Sequence, residues 1–457
     1  MDPVELFHQV AATVPAYGRF LAEHGVDPAK VTAAADFARL PMTTKDNYTH
    51  RHPLPDLCRN GVIGDLIAVS SGSTGVPSFW PRSAADERVI ADRFEEVFGG
   101  SFAARERRTL AVVCFALGTW VGGLFTVACC RHLAERGYPI TVVAPGTDRR
   151  EIVRVIPELA PHFDQVVLLG YPPFLKNVID TEDLPWASWN VRLVTAGEVF
   201  SEEWRALVAE RAGIADPVRG IASLYGTADA GVLGNETPLS VEIRRFLSAR
   251  PRQARELFGE SRLPTLVQYD PGVRFFEEHE GTLLFSGDNG VPLVRYHIAD
   301  EGGVLPYREL LDFVRRHGFE PRPKTYADGP ERPFVYVFGR SHFTVSYYGA
   351  NVYPENIAIG LEQPGVSPWV TGKFVLEAAE DERHDRHLTV TVELMPGEKP
   401  SEEIAHAVSE SILAQLLRLN SEFAAYVPVP QQTPFIRLRE SGDPDYFPPG
   451  AKHRYTR

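Results

Sequence analysis

Positive charge is in short supply in this 457-residue chain: Lys plus Arg number 47 against 60 Asp plus Glu, for a formal net charge of −13. That balance gives no general attraction to a phosphate backbone, so no nucleic-acid partner is expected, while a local basic pocket for a nucleotide stays open. Cysteine is scarce as well. Cys58, Cys114, Cys129 and Cys130 form no CxxC pair, and two lie inside an apolar run, which predicts buried free thiols rather than metal ligands or disulfides. The opening MDPVELFHQVAATVPAYGRF lacks a basic region ahead of an apolar stretch and is not read as a signal peptide. The longest apolar stretch, AVVCFALGTWVGGLFTVACC, approaches membrane-spanning length, but Gly118, Thr119, Gly122 and Gly123 interrupt it. A strand, a turn and a helix account for it better than a membrane span. The expectation is a soluble, cytoplasmic protein, monomer or homodimer, with no membrane partner.

What is present is ordinary globular material. Hydrophobic residues make up 44% and charged residues 23%, which excludes a largely disordered, collagen-like or coiled-coil protein. The length suggests about two to four domains. Residues 1 to about 60 read as helices and loops, with Leu40-Pro41-Met42-Thr43 marking an element boundary. Apolar runs then predict strands at 66–70, 110–116, 140–145, 165–170 and 191–197. Helical stretches at 84–98, EIVRVIPELA and EEWRALVAERAG lie among them. This alternation favours an α/β architecture, a large multi-layer N-terminal region over 1–338 with mostly parallel or mixed sheets. The tail changes rhythm, with short strands at 334–338, 373–378 and 388–394. A helix over 402–419 places Ile404, Val408, Ile412, Leu413, Leu416 and Leu417 on an apolar side. A small α+β C-terminal domain over 339–457 is predicted.

The strongest local signal is VSSGSTGVPSFW, in which Ser70, Ser71, Gly72, Ser73, Thr74 and Gly75 follow an apolar strand. Glycines let the backbone curl so that N–H groups and hydroxyls converge on phosphate oxygens. The run is not the Walker pattern, because no lysine follows Gly75. Five further segments accompany it in order: LYGTADAG (224–231), PLVRYHIAD (292–300), FGR (338–340), YYGANVYPENI (347–357) and PPGAKHR (448–454). Spread over nearly the whole chain, the set resembles the adenylate-forming enzymes, which include acyl-CoA synthetases, peptide-synthetase adenylation domains and luciferases. It looks most like their phenylacetate-CoA ligase branch.

The resemblance implies roles residue by residue. Ser71, Gly72, Ser73, Thr74 and Gly75 would hold the ATP β- and γ-phosphates, although valine at 76 and serine at 78 stand where many relatives have lysine. Tyr225 would lie beside adenine and Thr227 near the α-phosphate, with Gly226 between them also nucleotide-binding. Asp229 falls on the motif's usual glutamate, the Mg²⁺ carboxylate, one methylene shorter. Asp300 would accept bonds from the ribose hydroxyls, with Arg340 adding a donor nearby; an Arg295–Asp300 ion pair at a strand end is the competing reading. Relatives have a hinge aspartate two places after that arginine, where this chain has His342. Lys452 resembles the mobile catalytic lysine that bridges the carboxylate and the α-phosphate, a fixed cation facing charge that develops in the transition state. Gly349 resembles the loop beside the pantetheine tunnel, so the C-terminal domain would be mobile and alternate between two catalytic positions.

The organic substrate is less legible. FALGTWVGG, GYPP and TAGE match regions that line the acyl pocket in relatives, making Phe115, Trp120, Tyr171, Ala196 and Gly197 candidates and favouring an aromatic or apolar acid. Phe115 and Trp120 read equally well as core residues. The implied reaction joins a small carboxylic acid to ATP as an acyl-adenylate and passes the acyl group to coenzyme A. Transfer to an acyl carrier protein or an amine would share the first step. A non-catalytic nucleotide-binding regulator derived from the same fold is the alternative of a different class.

Overall fold

The computed structural model describes the whole chain except residues 71–76, 182, 260–262, 322–330, 341–343, 448–454 and 457, with the backbone alone at 181, 340 and 355. The chain divides into two compact units. The first comprises Met1–Val69, Phe79–Gly170 and Ile179–Gly339, and the second Ser70–Ser78, Tyr171–Val178 and Arg340–Arg457.

Among the described residues, eighteen strands run in chain order. They open with a two-stranded sheet of β1 (Leu66–Ser70) and β2 (Ser78–Arg82). An 11-stranded sheet follows, built from β3 (Thr109–Cys114), β4 (Ile140–Val143), β5 (Gln165–Gly170), β6 (Val191–Ala196), β7 (Ile221–Thr227), β8 (Gly231–Asn235), β9 (Thr265–Gln268), β10 (Arg274–His279), β11 (Thr282–Gly287), β12 (Leu293–Leu305) and β13 (Phe334–Arg340). The second unit has a hairpin of β14 (Val345–Tyr347) and β15 (Ala350–Val352) and a sheet of β16 (Val370–Glu380), β17 (Arg386–Leu394) and β18 (Phe435–Arg439).

The large sheet has the order β10-β11-β12-β13-β9-β8-β7-β6-β5-β3-β4. Neighbours from β4 to β7 run parallel, and β7 with β8 begins the antiparallel half. Every residue of β3 and β5 is buried, as expected of parallel strands covered on both faces. The apolar stretch that approached membrane length is β3, a turn and the helix Val121–Glu135. No helix among the described residues is long and apolar enough to cross a membrane. The four cysteines are buried free thiols, and burial pushes the Cys130 thiol up to about 12.

The N-terminal helices Pro3–Thr13 and Pro15–Glu23 bury Phe7, Val10, Tyr17 and Phe20 in one core with Phe285, Tyr296 and Val335. Thr43 ties the end of this helical segment to β12: its N–H donates to the Arg295 carbonyl at 3.1 Å and its carbonyl accepts from the His297 N–H at 2.9 Å.

Residues 334–338 belong to β13, which pairs antiparallel with β9 in the large sheet. One expectation needs correction. In the helix Glu402–Leu419, Ile404, Val408, Ile412 and Leu416 are buried, but Leu413 is half-buried and Leu417 is 42% exposed. A line of residues four apart fills the groove, and the residue after each member points about 100° away.

Candidate active site

In the first unit the carboxyl ends of β6 and β7 lie side by side, with Ala196 opposite Leu224, and β7 then turns through TADA into β8. A Cβ on Gly226 would stand 2.7 Å from the Gly231 carbonyl oxygen, so the tight crossing needs glycine there. The Thr227 hydroxyl oxygen accepts from the Ala230 N–H at 3.2 Å and closes the turn.

Two side chains of β12 reach this turn. The Tyr225 hydroxyl donates to Asp300 Oδ2 at 2.8 Å, and the Tyr296 hydroxyl donates to Asp229 Oδ2 at 2.5 Å. Arg295 and Ala299, which directly precede Tyr296 and Asp300, have φ of +46° and +65°. This left-handed backbone costs about 1 kcal/mol or more per residue outside glycine. Arg295 is held there by its Nε donating to both Glu277 oxygens at 3.1 Å and by a bond from Nη1 to the Leu40 carbonyl. Its ion-pair partner is therefore Glu277, which removes the motive for reading Asp300 as its routine partner.

Asp229 is 2% exposed. Besides Tyr296, it faces the Lys45 ammonium, 3.5 Å from Oδ1, and that ammonium lies 5.9 Å from the Trp80 ring centroid. Arg82, fully buried, donates to the Ala228 carbonyl at 2.6 Å. Burial lowers the affinity of its guanidinium for the proton, against the pull of Asp86 and Asp229. The site as described thus brings together Tyr225, Gly226, Thr227, Asp229 and Asp300 from the motifs, and adds Lys45, Arg82 and Tyr296. Tyr296 sits inside the RYHIAD motif. Lys45 follows the element boundary at 40–43, and no local pattern marked it.

As a hard oxygen donor, Asp229 suits Mg²⁺. No group of three or more His, Cys, Asp or Glu side chains among the described residues is placed to hold a metal ion. A single carboxylate fits a cation that brings most of its ligands with it, from phosphate and water.

Cys114, Gly170 and Thr195 stand in register at the carboxyl ends of the neighbouring strands β3, β5 and β6, and the acyl-pocket candidates Phe115, Tyr171 and Ala196 each come next in the chain. Phe115 is buried, Ala196 half-buried and Gly197 exposed. Trp120 is half-buried and lines a small apolar cleft with Leu66, Ala68, Arg82, Leu124 and Phe125. In the second unit the Tyr171 ring stacks on Tyr426 with centroids 5.3 Å apart. Gly349 has φ +83° and packs so closely that a Cβ there would stand 2.2 Å from a Tyr171 ring carbon. Ser71, Gly72, Ser73, Thr74, Gly75, His342 and Lys452 lie outside the described residues, and of Arg340 only the backbone is described. Phe447 is buried, and the Tyr455 carbonyl accepts from the Leu376 N–H at 2.8 Å.

No family model matches the chain. It is similar to the phenylacetate-coenzyme A ligase of Thermus thermophilus, 26% identical over 367 residues, 78% of this chain and 72% of that protein. It is also similar to the phenylacetate-coenzyme A ligase of Aromatoleum evansii, 23% identical over 84% of this chain and 78% of that one. Among solved structures, 2-hydroxyisobutyryl-CoA ligase in complex with 2-HIB-AMP and CoA, in the thioesterification state, shares the fold. Its TM-score is 0.64 at 17% identity, covering 100% of this chain and 87% of that one. Homology points to the adenylate-forming superfamily broadly.

Proposed function

We propose that the protein activates an aromatic or apolar carboxylic acid with ATP as an acyl-adenylate and then transfers the acyl group to the thiol of coenzyme A. The observation that carries this reading is the meeting of the LYGTADAG turn with Tyr296 and Asp300 of β12. It joins two motifs from distant parts of the chain into one acidic, hydroxyl-lined site. The names of the relatives, coenzyme A ligases all three, support the choice of acceptor.

On this reading, Asp300, oriented by the Tyr225 hydroxyl, accepts the ribose hydroxyls. The Thr227 hydroxyl, which already accepts from Ala230, has its own proton to donate to an α-phosphate oxygen. A carboxylate oxygen attacks the α-phosphorus, and the bond to pyrophosphate breaks, with Lys452 bridging the two anions. Held by Asp229 with the triphosphate, Mg²⁺ would offset the repulsion between carboxylate and polyphosphate. The thiolate then attacks the carbonyl carbon, the bond to the AMP oxygen breaks, and AMP leaves. The close approach of Gly349 to Tyr171 leaves no room for a side chain in the loop assigned to the thiol's path. Residues 1–338 act as the adenylating core, and 339–457 as the part that exchanges Lys452 for Gly349 between the two steps.

The test is pyrophosphate release by purified protein across a panel of carboxylic acids. Release that depends on an aromatic or apolar acid, with coenzyme A converting the product to thioester, is expected. ATP binding without turnover across the panel would refute it.

A further inference from the structure

Asp229 is engaged on both oxygens. Tyr296 donates to Oδ2 at 2.5 Å, and the Lys45 ammonium faces Oδ1 at 3.5 Å. The Lys45 side chain is 27% exposed, so its charge is only partly screened, and the Trp80 ring at 5.9 Å gives it a second attraction. The backbone around it is fixed. Thr43 is bonded to β12 on both sides, and Thr44 and Asn47 cap each other through bonds of 2.7 and 3.0 Å. One residue before Asp229, Ala228 is held by the buried Arg82 guanidinium. A carboxylate so surrounded by donors and positive charge has lost much of its attraction for a free divalent cation, because each cation within a few ångströms opposes the newcomer. Mg²⁺ also wants about six oxygen ligands in octahedral order.

We propose that Lys45 is the resident counter-ion of Asp229 and makes metal binding conditional on nucleotide. The inference rests on the assignment of Asp229 given above. A divalent cation enters only together with a triphosphate, whose negative charge draws the ammonium off the carboxylate and onto a phosphate oxygen. Lys45 thereby supplies positive charge that valine at 76 and serine at 78 withhold from the loop.

The test is a Mn²⁺ titration followed by electron paramagnetic resonance, with and without a non-hydrolysable ATP analogue. Wild-type protein should bind Mn²⁺ only with the analogue. Lys45→Met should gain a nucleotide-independent Mn²⁺ site at least roughly tenfold tighter than any in wild type, the scale of one partly buried charge interaction. Adding Asp229→Asn should abolish that site, and Lys45→Arg should behave as wild type. If Lys45→Met does not fold, Lys45→Gln carries the same expectation. Wild-type protein that binds Mn²⁺ equally well without nucleotide, or a Lys45→Met variant that gains no site, overturns the proposal. Should Asp229→Asn leave Mn²⁺–nucleotide binding intact, the assignment of Asp229 fails first. If that substitution abolishes binding while Lys45→Met changes nothing, the counter-ion proposal alone fails.

Discussion

Near β7, Glu202, Arg205, Glu236 and Arg244 form a cluster whose side chains are at most 6% exposed. Arg205 donates to Glu202 at 2.9 Å and to Glu236 at 2.8 Å, and Arg244 lies 2.9 Å from Glu202 and 3.2 Å from Glu236. The backbone completes the set: the Ser223 N–H donates to Glu236, while the Ile221 and Phe200 carbonyls accept from the arginines. Burial raises the Glu202 carboxyl, but Arg205 and Arg244 outweigh it and hold the group below the ordinary carboxylate range. At the other cluster, Asp229 and Asp300 are bonded by phenolic hydroxyls, and the cation beside Asp229 stands at 3.5 Å with a quarter of its side chain in solvent. Two anions matched by two bonded arginines make a closed structural lock. Two anions bonded by phenolic hydroxyls, with one partly exposed ammonium beside Asp229, make a more open site.

The widest separation between them is expected from Lys452, the cation that the open site would borrow in catalysis. Lys452→Ala should lower acyl-adenylate formation by about a thousandfold, while a supplied acyl-adenylate is converted to thioester near the wild-type rate. Gly349→Leu should reverse that pattern, and quenched-flow quantification of AMP, adenylate and thioester reads both. Asp229→Asn should come next, slowing adenylation about a hundredfold with the thermal midpoint nearly unchanged. Arg205→Met breaks the lock instead: removing one partner from a buried network costs about 3–5 kcal/mol, measured by denaturant unfolding, with turnover per folded molecule retained. Equal stability losses in the Asp229 and Arg205 variants would erase the distinction. The smallest effect belongs to Tyr225→Phe. Loss of one buried hydrogen bond of about 1 kcal/mol should raise the KM for ATP roughly fivefold with kcat little changed.

The contrast also shows what the sequence could carry. Tyr225, Thr227, Asp229 and Asp300 were legible because each sits in a short ordered motif, and the strands around them because buried parallel strands read as continuous apolar runs. Tyr296 was inside a recognised motif, yet its bond spans 67 residues to Asp229, and no local spacing encodes that pairing. Lys45 was illegible for the same reason, since only the attachment of Thr43 to β12 brings it to the site. The strand at 334–338 could be read from its apolar run, but its neighbour is set by long-range pairing with 265–268, which no local spacing reveals. The four-residue network of the lock left no trace in sequence either, as Arg and Glu ordinarily read as solvated surface.

Acid activation through an adenylate moves one substrate oxygen in a defined direction, and following that oxygen tests the central proposal most directly. The protein is incubated with ATP, coenzyme A and a turned-over acid labelled with ¹⁸O in both carboxylate positions, and the products are resolved by mass spectrometry. One labelled oxygen should appear in AMP for each thioester formed, with none in pyrophosphate. Label in orthophosphate, or thioester formed with unlabelled AMP, would contradict the account.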